Sequence, residues 1–158
     1  PLDGPTAAWI GALADRRARL TVYDGVRHLL ERLEEDDRFE LALVTGNVQG
    51  GAWRKLEACR LRRPFRYGAF GSDSEERDDL PPLAVRRASR RLGRDFAAGD
   101  VWIIGDTPAD IQCARHSNLR SLAVATGGYG PRELADRGAE HVLPSLADGD
   151  RVVEILAS

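Results

Sequence analysis

VWIIGDTPADI, residues 101–111, is the stretch from which the rest of the chain can be read. Four apolar residues run into Gly105 and Asp106, as in a strand covered on both faces that ends at a glycine. Thr107, Pro108 and Asp110 then match a helix opening, with Thr107 as the N-cap, Pro108 at the first helical position and Asp110 as the acid of a capping box. A buried strand that passes directly into a helix is half of a parallel strand–helix–strand unit. Two carboxylates, Asp106 and Asp110, are thereby aimed at the carboxyl end of a buried strand, where a charge without a partner is costly.

Working outward, FELALVTG (39–46) and RSLAVATG (120–127) have the same form, and YGAFGSD (67–73) and EHVLPS (140–145) read as shorter strands. GVRHLLERLEE (25–35) and PPLAVRRASRRLG (81–93) place apolar residues at helical spacing, with Gly93 as a stop, and PRELADRG (131–138) opens on proline and closes on glycine. The alternation predicts an α/β fold built on a parallel sheet. In such sheets the loops at the carboxyl ends of the strands gather on one edge. Thr45, Gly46 and Asn47 belong there, as do Asp106 and Asp110, and a carboxylate pair beside a hydroxyl and backbone amides suits Mg²⁺ and a phosphate group. Each residue also has a purely structural reading: Asp110 as a cap, Thr45 as a strand end, Asn47 as the cap of a helix beginning near Val48.

The composition narrows the partners. Twenty-three basic and 25 acidic residues leave a formal charge of −2, so no net field draws the chain to nucleic acid or an anionic membrane. No apolar run is long enough to span a bilayer, and no signal-peptide pattern is present. Two cysteines, Cys59 and Cys113, form no framework, which predicts free thiols and a cytoplasmic setting. Residue 1 is proline and the chain contains no methionine, so the start of translation is expected to lie upstream.

Taken together, LVTGN (43–47) and VWIIGDTPADIQCA (101–114) resemble the second and fourth motifs of the haloacid dehalogenase superfamily of phosphohydrolases, in its phosphoglycolate-phosphatase-like branch. The likeness runs over residues 22–148 and implies a Rossmann-like parallel sheet with helices on both faces. It also implies a phosphate grip at Thr45, Gly46 and Asn47, a Mg²⁺ site at Asp106 and Asp110, and a small phosphorylated metabolite as substrate. The third motif normally supplies a lysine; here Asp79 stands at the aligned position, and Arg77 is the substitute, giving catalytic roles to Thr45 and Arg77. Lys55 is a second candidate, less favoured because WRKLEA reads as an exposed helix turn.

The first motif, Asp-x-Asp-Gly-Thr, whose leading aspartate is the family's nucleophile, is not found. PLDGPT (1–6) has Pro1 in its place, and TAAWIGALADRRARL (6–20) reads as an amphipathic helix, the tail of a cap. The expected division is a residual cap or linker helix at 1–21 and a core at 22–158 that lacks its first strand and most of its cap. The strands at 39–46 and 101–106 would then face a gap, with buried backbone groups unsatisfied at about 1–3 kcal/mol each. Either a segment outside the chain or a second copy fills that gap, or the two neighbours close on each other. The expected function is a Mg²⁺-dependent phosphomonoester hydrolase working through an aspartyl-phosphate, in a truncated, inactive form. The competing expectation is a non-catalytic phosphate- or nucleotide-binding module of the same fold.

Overall fold

The computed structural model describes residues 21–158 and the backbone of residues 6–10. Six strands, β1 (Thr6–Ile10), β2 (Phe39–Thr45), β3 (Gly68–Phe70), β4 (Val101–Gly105), β5 (Arg120–Val124) and β6 (His141–Leu143), form one sheet in the order β3-β2-β1-β4-β5-β6. Every neighbouring pair is parallel. Six helices, α1 (Val26–Glu35), α2 (Gln49–Ala58), α3 (Leu80–Leu92), α4 (Pro108–His116), α5 (Pro131–Asp136) and α6 (Gly149–Leu156), connect and cover it. The α/β fold with helices on both faces is the one the sequence predicts. Among the described residues, no helix is long and apolar enough to cross a membrane.

The two faces follow from the period-2 alternation of a strand. Leu41 and Leu43 of β2, Trp102 and Ile104 of β4, and Leu122 and Val124 of β5 pack with α1, α2 and α6. Ala42, Val44, Val101 and Ile103 point the other way, against Leu80, Ala84 and Ala88 of α3 and Ala114 of α4. Ala123 meets Ile111 of α4 and Leu134 of α5. Both sides of the central strands are buried, which is why their sequences are predominantly apolar.

One expectation is overturned at the amino end. Residues 6–10, read as the start of a helix, form β1, the strand that lies between β2 and β4. Ala8 pairs with Leu41 on one side and with Trp102 on the other, so the gap expected in the middle of the sheet is filled by this chain itself. The alanines of TAAWI favour a helix in isolation. Two open rows of ladder groups on either side outweigh that preference, because each unpaired buried group costs more than an alanine's propensity is worth. The remainder of the expected helix, residues 11–20, lies outside the described residues.

A bidentate ion pair fastens the short strand β3 to α3. Asp73 accepts from both terminal nitrogens of Arg87, at 2.7 and 2.8 Å, and from the Phe70 amide at 2.9 Å, while Arg87 also donates to the Gly68 carbonyl at 2.6 Å. The Arg87 hydrogen bonds hold the Asp73 carboxyl below its ordinary range. A depressed acid contributes stability that is present above its unfolded pKa and is lost as pH falls through the folded one. Asp73→Asn is therefore expected to lower stability by about 1 kcal/mol at neutral pH, scaled down for a partly exposed pair. The gap between variant and wild type should close in acid, which urea unfolding at a series of pH values measures.

Candidate active site

Parallel strands put all their carboxyl ends on one edge, and the order of this sheet sets the ends of β2, β1 and β4 side by side there. Thr45 closes β2, and Asp106 follows Gly105 at the end of β4. The loop from Thr45 to Asn47 is folded on itself: Thr45 Oγ1 accepts from the Asn47 amide at 3.2 Å and from Asn47 Nδ2 at 3.1 Å. With two bonds accepted, the hydroxyl retains its proton to donate. Asn47 thus serves Thr45 and does not cap α2, whose N-cap is Val48 without a side-chain bond.

β3 backs this loop closely. The Gly71 amide donates to the Asn47 carbonyl at 2.9 Å, and a Cβ at Gly71 would stand 2.0 Å from the Gly46 oxygen. Lys55 of α2 is half-buried and its Nζ donates to Asn47 Oδ1 at 3.3 Å. The expected exposed helix turn is therefore a cation reaching the same loop. WRKLEA carries no signal of this, since the direction of a long side chain depends on packing that the segment does not contain.

On the other side, Asp106 and Asp110 are both buried, at 7% and 6% exposure. Asp110 forms the capping box foreseen from the sequence: its Oδ2 accepts from the Thr107 amide at 3.1 Å and from Thr107 Oγ1 at 2.7 Å. Its Oδ1 accepts from Arg77 Nη2 at 2.6 Å. The capping reading of Asp110 is thus realised, and the ion pair with Arg77 is an addition that the sequence did not announce. Asp106 packs against the loop after β5, where a Cβ on Gly127 would lie 2.3 Å from its Oδ2. Burial, and next the nearby charge of Asp110, push the Asp106 carboxyl above its ordinary range.

Arg77 joins the two sides. It opens a 3-10 turn (Arg77–Asp79), pairs with Asp110, and places Nη1 3.2 Å from where a Cβ on Gly46 would be. Burial is the largest single influence on its pKa and acts downward, but the Asp110 charge and hydrogen bond together with the Cys113 contact outweigh it, and the net movement is upward. Its Nε is buried without a hydrogen-bond partner among the described residues. Asp79, at the aligned lysine position, is turned away and accepts from Ser74 Oγ at 2.8 Å. Thr45, Gly46, Arg77 and Asp110 are thus gathered at one edge, with Asp106 beside Asp110.

Comparison with known proteins gives this edge a context. The family model described as haloacid dehalogenase-like hydrolase matches residues 7–124. Among curated proteins, phosphoglycolate phosphatase 1 of Pseudomonas aeruginosa is 27% identical over 158 residues, covering 98% of this chain and 57% of that protein. A phosphoglycolate phosphatase of Nitrosospira multiformis is 26% identical over 132 residues, covering 84% of this chain and 56% of that one. The chain therefore spans little more than half the length of these relatives. Among solved structures, a predicted phosphatase from Clostridium acetobutylicum superposes with a TM-score of 0.69 at 28% identity, over 84% of this chain and 60% of that one. A haloacid dehalogenase-like family protein from Streptococcus pneumoniae shares the fold, with a TM-score of 0.66 at 20% identity over 85% and 58% of the two chains.

Proposed function

Because the chain belongs to the haloacid dehalogenase-like hydrolase family, we propose that Thr45, Gly46, Asn47, Arg77, Asp106 and Asp110 form the phosphate- and magnesium-handling part of a phosphomonoester hydrolase site. The observation that carries this reading is Arg77. Its guanidinium spans the Gly46 loop and Asp110, and it keeps a buried Nε–H with no partner among the described residues. A buried donor on a cation is costly unless an anion meets it, and a phosphate oxygen has the right charge and geometry for a guanidinium fork. Thr45 supplies a second donor through its hydroxyl proton, which meets no acceptor among the described residues, and Lys55, through Asn47, adds positive charge behind the loop.

The residues present also fit Mg²⁺. One or two carboxylates together with water and phosphate oxygens suffice for that ion, so the want of a group of three or more His, Cys, Asp or Glu among the described residues is no obstacle. Asp106 is the better ligand, because both causes that raise its pKa, burial and the Asp110 charge, are relieved by a cation. Asp110 has an Arg77 bond on one oxygen and two Thr107 bonds on the other, so it contributes what lone pairs remain. When bound, the ion neutralises charge on the phosphoryl group.

The substrate class is a small phosphorylated metabolite, with phosphoglycolate favoured by the names of the relatives. In this family the covalent step belongs to an aspartate that forms an aspartyl-phosphate. No Asp-x-Asp-Gly-Thr occurs in the 158 residues, and in sequence β1 is followed by Gly11, Ala12, Leu13 and Ala14, none of which can act as a nucleophile, before Asp15. That observation favours a second reading: a module that binds phosphate and Mg²⁺ without hydrolysis. Calorimetric titration of the chain with inorganic phosphate, with and without Mg²⁺, tests what the two readings share. Turnover of p-nitrophenyl phosphate separates them.

Asp106→Asn is expected to lower Mg²⁺-supported phosphate affinity at least tenfold, about 1.4 kcal/mol. The same variant should be more stable than wild type at neutral pH. An acid whose folded pKa is raised destabilises the fold as pH climbs through that value, and asparagine has no charge to bury. A variant with intact Mg²⁺ dependence, or a lower urea midpoint, would remove Asp106 from the proposed metal site.

A further inference from the structure

Arg77 reaches the site from two residues before the position where the family's lysine is expected, so something other than the family's usual spacing must deliver it. The turn that bears it is held on α4 by its neighbour. Asp78 Oδ1 accepts from Cys113 Sγ at 3.2 Å, and its Oδ2 accepts from Gln112 Nε2 at 3.2 Å. His116 Nδ1 stands 3.8 Å from the same Oδ2. The Cys113 thiol also lies 3.6 Å from the Arg77 carbonyl, its second acceptor. Residues 112, 113 and 116 share one side of α4 at helical spacing, one turn beyond Asp110, which holds the tip of Arg77. A long arginine is thus fixed at both ends by one helix: the guanidinium by Asp110, the backbone through Asp78.

We propose that Asp78, gripped by Cys113 and Gln112, is a positioning residue that sets where Arg77 holds its Nε–H, which has no partner among the described residues. The grip also turns the Asp78 carboxylate onto α4, so it does not compete with an incoming anion for Arg77. Burial, and then the Asp78 bond, push the Cys113 thiol up to about 12, so it stays protonated and acts only as a donor. Both cysteines are buried and free, but Cys113 alone makes this contact among the described residues. Orientation by a fixed neighbouring group is how sites restrict a flexible charged side chain. The effect on phosphate rests on the function proposed above; the effect on Arg77 itself does not.

The test follows the Arg77 Nε–H resonance in the ¹⁵N-labelled 158-residue chain, assigned by its disappearance in Arg77→Lys. Without phosphate, Asp78→Ala and Cys113→Val are each expected to raise its hydrogen-exchange rate at least tenfold. Cys113→Ser, which can still donate, should keep it within about threefold of wild type, and circular dichroism checks that each variant is folded. Unchanged exchange in both Asp78→Ala and Cys113→Val overturns the proposal, as does equal acceleration in Cys113→Ser. A titration with inorganic phosphate adds the link to binding: Asp78→Ala should weaken it about tenfold, but add nothing to Arg77→Ala. An equal loss in the Arg77→Ala background also overturns the proposal. If wild type binds no phosphate, the function proposed above fails, and the exchange rates still decide the role of Asp78.

Discussion

Replacing Arg77 by methionine is expected to weaken inorganic phosphate binding about 100-fold, roughly 2.7 kcal/mol, and to destabilise the fold as well. The two losses have different origins. Phosphate loses the cation that spans the Gly46 loop and Asp110. The protein loses the partner of a carboxylate whose side chain is only 8% exposed. Breaking a fully buried pair by removing one member costs about 3–5 kcal/mol; here Arg77 is 36% exposed, so about 2 kcal/mol is the reasonable expectation. Adding Asp110→Asn to Arg77→Met should recover part of the stability, because the stranded charge is gone, and none of the phosphate affinity. Urea unfolding and calorimetry on the single and double variants measure both. A single variant as stable as wild type would mean that the ion pair contributes nothing to the fold.

Gly71→Ala should be at least as damaging, although residue 71 carries no chemistry. Its added methyl would sit 2.0 Å from the Gly46 oxygen and 2.7 Å from the Gly46 carbonyl carbon. Both are backbone atoms, so no side chain can swing aside to make room. Forcing the two segments apart should cost about 3 kcal/mol, the upper end for an overpacked site. It should also break the bond from the Gly71 amide to the Asn47 carbonyl, and so deform the loop in which Asn47 serves Thr45. We expect a marked fall in the urea midpoint together with loss of phosphate binding. A variant that binds phosphate normally would show that the loop tolerates displacement and that its shape is not set by β3. Gly50, where an added Cβ meets nothing within 4 Å, provides the control, since Gly50→Ala should leave both measurements near wild type.

How much of this was open to inspection in the sequence depends on where the deciding information lies. β2, β4 and β5 announce themselves because strands buried on both faces carry near-continuous apolar runs. The capping box at Thr107 and Asp110 is equally local: four consecutive residues contain all of it. β1 is different. TAAWI has no alternation and carries two helix-favouring alanines, and what makes it a strand is the pair of open edges on β2 and β4, contributed by residues far along the chain. The position of Arg77 was suggested by the displaced lysine, but its double attachment to α4 was not. The contact of Lys55 with Asn47 is hidden from the sequence for the same reason, because it crosses from a helix to the loop before it and depends on how far a flexible chain extends. Gly71 and Gly127 gave no sign at all. Their importance is a matter of which backbone comes within van der Waals reach, which no pattern of residue types records.

The placement of β1 has a consequence for how the molecule comes together. Among the described residues, β1 pairs Thr6 with Phe39 and Ala7 with Val101, so it joins two sub-assemblies, β2–β3 and β4–β5–β6, that have no ladder between them without it. Every path to the finished sheet must close the long loop that brings the β4 half to this keystone, and loop closure of that kind makes assembly slow. Until it is seated, each half exposes a bare inner edge of the kind that pairs with other chains. Tenancy of that slot, more than the depth of either hydrophobic layer, should then govern whether the polypeptide emerges as a monomer or as an entangled aggregate.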